Sequence, residues 1–169
     1  MKKIVHLTSV HKRHDIRIFV KECVTLSQIF DVELWVFDDR GDECISESLK
    51  IKDYGLFTGS RVRSIIRVLK HTINISGTLD KSDTVFHFHD VENLFLAYLL
   101  TKKGYKVIWD SHEDFPRQLA TKHWMPGFLK GMMEYFSEKI ENYIVARLIG
   151  VVAPTQLIEN RFRLINANV

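Results

Sequence analysis

Short apolar runs alternate with helix-period segments along almost the whole chain, and that order leaves few folds open. Ile4-Val5-His6-Leu7 reads as a buried strand. Asp15 suits an N-cap, and beyond it Ile16, Phe19, Val20, Cys23, Leu26 and Phe30 recur at helical spacing. A strand over 32–37 ends in Asp38-Asp39-Arg40-Gly41, and one further strand with a polar face is expected over 45–51. Ser60 caps a helix with Val62, Ile65, Ile66, Leu69 and Ile73 as its apolar stripe. A strand over 85–88 and a helix over 91–103 follow, with Gly104 as the left-handed terminator. A strand over 107–109 leads into a loop through Pro116. A long helix then begins near Pro126, with the stripe Leu129, Met132, Met133, Phe136, Ile140, Tyr143 and Ile144. A strand over 149–153 and a helix opened by Pro154-Thr155 complete the series. Such alternation predicts an α/β, Rossmann-like, doubly wound parallel sheet with helices on both faces.

In open sheets of this kind, ligands bind in the crevice outside the carboxyl ends of the strands. Two of the strands here end in the same type of chemistry. The run Thr84-Val85-Phe86-His87-Phe88-His89 stops at Asp90, and Lys106-Val107-Ile108-Trp109 stops at Asp110-Ser111-His112-Glu113-Asp114. Histidines and carboxylates at both ends are expected to face one crevice.

The chain has 169 residues, enough for one domain. Apolar content of 46% and charged content of 27% suit a globular core, and a net charge of +3 gives no nucleic-acid footprint. The charge is unevenly placed. No acidic residue lies between Asp53 and Asp80, where Arg61, Arg63, Arg67 and Lys70 form a patch suited to phosphate or anionic lipid. Trp124, Met125 and Phe128 are candidates for an apolar tip at the same interface. Cys23 and Cys44 form no spaced motif, so a reducing compartment is the expectation. Neither a G-x-G-x-x-G fingerprint nor a P-loop is present, which makes nicotinamide-dependent dehydrogenase and nucleoside triphosphatase poor readings despite the fold.

His112-Glu113-Asp114 is the strongest chemical element, because three polar residues at a crevice edge have no packing role. An imidazole there can donate to a sugar hydroxyl or a phosphate. His89 and Asp90 are the second candidates, and His87 reads as a satisfied, half-buried histidine. As a metal motif, His87-x-His89 has both imidazoles on one strand face and Asp90 on the other. A third ligand would have to come from His112 or Glu113, and no signature demands it, so no metal is expected. In the first loop, Lys12 and Arg13 read as a solvated turn. His11 and Arg17 are candidates to lie over the crevice, Arg17 holding an anion with Lys21 near the positive end of the helix.

Taken together, these segments resemble the N-terminal domain of GT-B fold glycosyltransferases of the retaining family 4, in its branch that builds bacterial polysaccharides. The resemblance rests on His6-Leu7-Thr8-Ser9-Val10-His11, Asp15 through Cys23, Phe86-His87-Phe88-His89-Asp90, Lys106 through Asp114, and Val151-Val152-Ala153-Pro154-Thr155 with Ile158 to Phe162. It implies residues 1–165 as an acceptor-side domain, 166–169 as the start of an interdomain linker, and a nucleotide-sugar-binding donor domain that is absent. It implies His112 in contact with the transferring sugar, and His89, Asp90, Glu113 and Asp114 on the acceptor side. Relatives close a glycine-bearing first loop over the donor diphosphate; here that loop has no glycine, leaving the task to side chains such as His11 and Arg13. No cofactor is implied beyond the nucleotide-sugar substrate. The expected partners are that donor, a glycan or lipid-linked acceptor and an anionic membrane surface, with a cytoplasmic location on the inner face. The alternatives are a GT-B nucleotide-sugar epimerase, with Glu113 or Asp114 as base, and a non-enzymatic flavodoxin-like binding module.

Overall fold

The computed structural model describes residues 2–55, 60–111, 114–120 and 126–169. The strands are β1 (Lys3–Leu7), β2 (Asp31–Val36), β3 (Glu43–Ser46), β4 (Leu49–Asp53), β5 (Thr84–Phe88), β6 (Lys106–Asp110) and β7 (Gly150–Val152). They form one seven-stranded sheet in the order β3-β4-β2-β1-β5-β6-β7, parallel except for the β3/β4 pair at one edge. The expected single strand over 45–51 is therefore two. The chain turns back between Ser46 and Leu49, and the bulge between Cys44 and Ser46 twists this exposed edge.

The chain runs from β1 outward through β2 to β4, then returns to β5 on the other side of β1. The carboxyl ends of β1 and β5 thus flank the topological switch point, where side chains from both halves of the sheet meet. Register places His6 beside His87, and Ile108 beside His87 on the far side.

Helix α1 starts at Asp15, whose carboxylate accepts from the N–H groups of Arg17 and Ile18. Its first part, Ile16–Cys23, is wound as a π-helix and one α turn, Val24–Leu26, continues it. The wider pitch turns Ile18, Phe19 and Cys23 inward and leaves Ile16 and Val20 exposed, so the stripe expected at α spacing is only partly buried. The other helices are α2 (Arg61–Ser76), α3 (Leu94–Lys102, led in by a 3₁₀ turn at Val91–Asn93), α4 (Phe115–Ala120), α5 (Gly127–Val145) and α6 (Gln156–Arg163). Ser60, Thr155 and Gly104 terminate helices as expected, Gly104 with φ of +90°. Helix α4 was not expected. It opens with Pro116 in its first turn, where a missing N–H costs nothing.

Two clusters make the core. One packs α2, α3, α5 and α6 on the face carrying Val5, Leu7, Trp35, Phe86, Phe88 and Trp109. The other packs Ile18, Phe19 and Cys23 of α1 on Ile4, Val32, Leu34 and Ile51. Among the described residues, α1 is the sole helix in the second cluster, so that face is lightly covered near β5 to β7. Two helical stripes also differ from expectation. In α2 the buried residues are Val68, Thr72 and Ser76, while Val62 and Ile66 are exposed. In α5, Met132, Met133, Phe136, Ile140 and Tyr143 are exposed and Ile144 is buried. Asn166 and Asn168, expected to begin a linker, bond to the end of α5, the turn after it and β7. Asn166 donates to the carbonyls of Val145 and Leu148, and Val151 N–H donates to Asn168 O.

Candidate functional site

The carboxyl ends of β5 and β6 border one cleft of about 180 Å³, with His89, Asp90, Asp110 and Ser111 on its floor and His11, Arg61 and Glu92 above. A neighbouring hollow of about 430 Å³ shares Val10, Arg61 and Glu92 and reaches Ser64 and Val68 of α2. His112 and Glu113 fall outside the described residues, as do Trp124 and Met125.

Strand alternation sends His89 and Asp90 to different tasks. Asp90 is buried and accepts from the backbone N–H of Ser9 at 2.6 Å, from Ser9 Oγ and Thr8 Oγ1, and from Asn93 Nδ2. His11 Nε2 stands 3.4 Å from the same carboxylate. Asp90 thereby fixes the glycine-free loop after β1, which also forms one wall of the cleft. His89 faces the α1 side. Its Nδ1 lies 3.1 Å from Asp110 Oδ2 and its Nε2 lies 2.9 Å from His6 Nδ1.

A buried polar group forms around that chain. Glu22 of α1 places Oε2 3.8 Å from His6 Nδ1, 3.7 Å from His87 Nδ1 and 3.8 Å from His89 Nε2. Arg17, one turn earlier, grips Asp110 and brings its Nε to 3.6 Å from Glu22 Oε1. The electrostatics follow from burial. Burial, with the charge of Asp110 beside it and Arg17 in partial opposition, raises the Glu22 pKa to about 7. Burial and the neighbouring imidazoles hold His6 well below its ordinary value, and burial with His89 beside it brings His87 to about 3. Burial works against the Asp110 carboxylate, yet the hydrogen bond from His89 and the charges around it, Arg17 among them, lower its pKa.

His87 is not the satisfied, half-buried residue expected. It is 5% exposed, and its Nε2 has no hydrogen-bond partner among the described residues. Arg13 also departs from expectation. It is 3% exposed, bonded to Asp38, Glu43 and the Gly41 carbonyl, with Asp53 at 3.8 Å. A guanidinium committed to three carboxylates ties the first loop to the β2 and β3 ends and leaves no fork for a diphosphate. Arg17 is likewise committed, to Asp110 and Glu22.

Asp114 lies away from the cleft lining, paired with Arg117 at 3.1 Å and Arg161 at 3.2 Å. In the basic patch, Arg61 is bound to Glu92 at the cleft, while Arg63, Arg67 and Lys70 lie on the exposed side of α2. His6, Glu22 and Asp110 were missed in the sequence. The available signal was a lone carboxylate at 22 on the otherwise apolar inner side of α1, and a third histidine near a strand end.

No known family profile matches the chain, and no curated protein does. Solved structures do. A trehalose-6-phosphate synthase from E. coli bound with UDP-2-fluoro glucose matches with a TM-score of 0.60 and 10% identity over 95% of this chain. An alpha,alpha-trehalose 6-phosphate synthase from Burkholderia multivorans gives 0.61 and 12% over 95%. The UDP-GlcNAc 2-epimerase from Methanocaldococcus jannaschii gives 0.54 and 11% over 95%. The fold is thus that of a domain of GT-B enzymes, and the chain spans 41–42% of the length of these neighbours.

Proposed function

We propose that this chain is the acceptor-side half of a two-domain, retaining, family 4-type glycosyltransferase that moves a sugar from a nucleotide-sugar to a polysaccharide or lipid-linked acceptor. The observation that carries the reading is the cleft at the carboxyl ends of β5 and β6, set in a fold shared with nucleotide-sugar enzymes more than twice as long. One wall of a sugar site is present. His112 would contact the transferring sugar, His89, Asp90 and Glu113 would line or order the acceptor side, Asp114 being set back from it in its pairs with Arg117 and Arg161, and α2 would face an anionic membrane on the cytoplasmic side. No helix among the described residues is long and apolar enough to cross a membrane.

The epimerase neighbour favours a second reading, inversion of a nucleotide-sugar at a carbon acidified by its substituent. Product analysis on the two-domain protein separates the two. Glycosylated acceptor plus free nucleoside diphosphate supports transfer. An inverted nucleotide-sugar formed without acceptor supports epimerisation, and neither product overturns both. In that protein His112→Ala is expected to lower transfer by about 10²-fold with folding intact, as for loss of one donor to developing charge; unchanged turnover removes His112 from the site.

A further inference from the structure

Four potential metal-ligating side chains converge beneath the switch point. One ligand atom from each of His6, His87, His89 and Glu22 lies within 4.8 Å of those of the other three. Glu22 Oε2 stands nearly equidistant, 3.7–3.8 Å, from the three nitrogens and has no hydrogen-bond partner among the described residues. A buried carboxylate oxygen facing three imidazole nitrogens without a hydrogen bond is costly unless a cation sits between them. Donors at 2.0–2.1 Å from one tetrahedral ion are separated by roughly 3.3–3.4 Å, between the 2.9 Å of His6 to His89 and the 3.7–3.8 Å from Glu22 to the three nitrogens.

We propose that His6, Glu22, His87 and His89 bind one divalent transition metal ion of the zinc type, in a closed structural site that pins α1 to β1 and β5. Three imidazoles and one carboxylate form a donor set that zinc accepts, and four protein ligands leave no open position for substrate. The short edge, His6 to His89 at 2.9 Å, is at present a hydrogen bond. On binding, that edge opens by roughly 0.4 Å to tetrahedral spacing, and His6 carries its proton on Nε2, which has no other partner among the described residues. The surroundings suit the role. Asp110 accepts from His89 Nδ1, which directs the Nε2 lone pair at the ion, and Arg17 holds Asp110 in place. The ion would couple α1, through Glu22, to the floor of the cleft, because His89 belongs to both the ligand set and that floor. The sequence hid the set: His87 and His89 are two residues apart, but the other two ligands come from β1 and α1. The inference does not depend on the transfer reading.

The test uses the whole chain, stripped with a chelator and then titrated with Zn²⁺ by calorimetry and with Co²⁺ by visible absorption. One ion per chain is expected, with the intense d–d bands of tetrahedral Co²⁺. Glu22→Gln, which relieves a buried charge and so keeps the fold, should weaken binding at least 10-fold. Asp110→Asn should weaken it about 10–100-fold, as for loss of an outer partner. His14→Ala, at a surface histidine, should leave it unchanged. X-ray absorption at the zinc edge should count three imidazoles and one oxygen, independently of any variant. Absence of stoichiometric binding by folded protein overturns the proposal. So does binding that survives Glu22→Gln, or a shell with fewer than three imidazoles.

Discussion

Nδ1 of His89 lies 3.1 Å from the buried carboxylate of Asp110, and this contact joins the ends of β5 and β6 below the cleft. The carboxylate fixes the imidazole tautomer. Nδ1 carries the proton, Nε2 is left as acceptor, and His6 Nδ1 donates to it across the β1/β5 pair.

Replacing Asp110 by Asn keeps the shape and removes the charge that balances Arg17. Breaking a buried pair from one side costs about 3 kcal/mol. The urea midpoint should fall with an unchanged slope. An unaltered midpoint would mean that the Arg17–Asp110 pair contributes nothing net.

Stability should depend on pH in two opposed ways when metal is excluded by chelator. His6 and His87 are held neutral, so the unfolded chain binds more protons; stability is lost as pH falls from 6.5 toward 3, the value for His87. Glu22 behaves oppositely, since its folded value of about 7 exceeds the ordinary 4.5, so its contribution is lost as pH rises between these. The two histidines outweigh one carboxyl, giving a net fall below pH 6.5. Glu22→Gln should steepen that fall and raise stability above pH 7. Parallel curves for the two proteins would refute the assignment.

Arg13→Lys should destabilise nearly as much as Arg13→Ala, because an ammonium cannot span Asp38 and Glu43 as the fork does. A loss of about 3 kcal/mol corresponds to a fall in melting temperature of roughly 6–12 °C for a chain of this size. Scanning calorimetry of both variants checks it, and full rescue by Lys would show that point charge alone suffices.

Reversing Arg63 and Arg67 together should weaken binding to phosphatidylserine vesicles by at least about 2 kcal/mol, a factor of roughly 30 or more, at low salt. Arg61 is held by Glu92 and serves as the comparison: Arg61→Glu should matter less at the vesicle than Arg63→Glu. Equal vesicle binding by the double variant removes the membrane role.

The order of elements was legible because it is written locally. Asp15, Ser60 and Thr155 cap helices through their own side chains, and Gly104 takes the φ of +90° that ends α3. Apolar runs of four to six residues fix strands whatever surrounds them. Facing was less legible. The π-type pitch of α1 rotates Ile16 and Val20 out of the core, and the turn between Ser46 and Leu49 splits one expected strand into a hairpin. Arg13 read as a solvated turn because its carboxylate partners lie 25 to 40 positions away.

The sequence by itself determined an alternating α/β chain and the presence of histidines and carboxylates at strand ends. Only the tertiary structure decided which of them meet. His6 and His89 are 83 positions apart, and they touch because parallel pairing of β1 with β5 sets one register. A shift of one residue would send His6 to the opposite face of the sheet, since side chains alternate with period two. Glu22 reaches them only because α1 packs on that face. Hydrophobic periodicity is a property of neighbours in the chain, whereas the four-residue cluster is a property of the sheet.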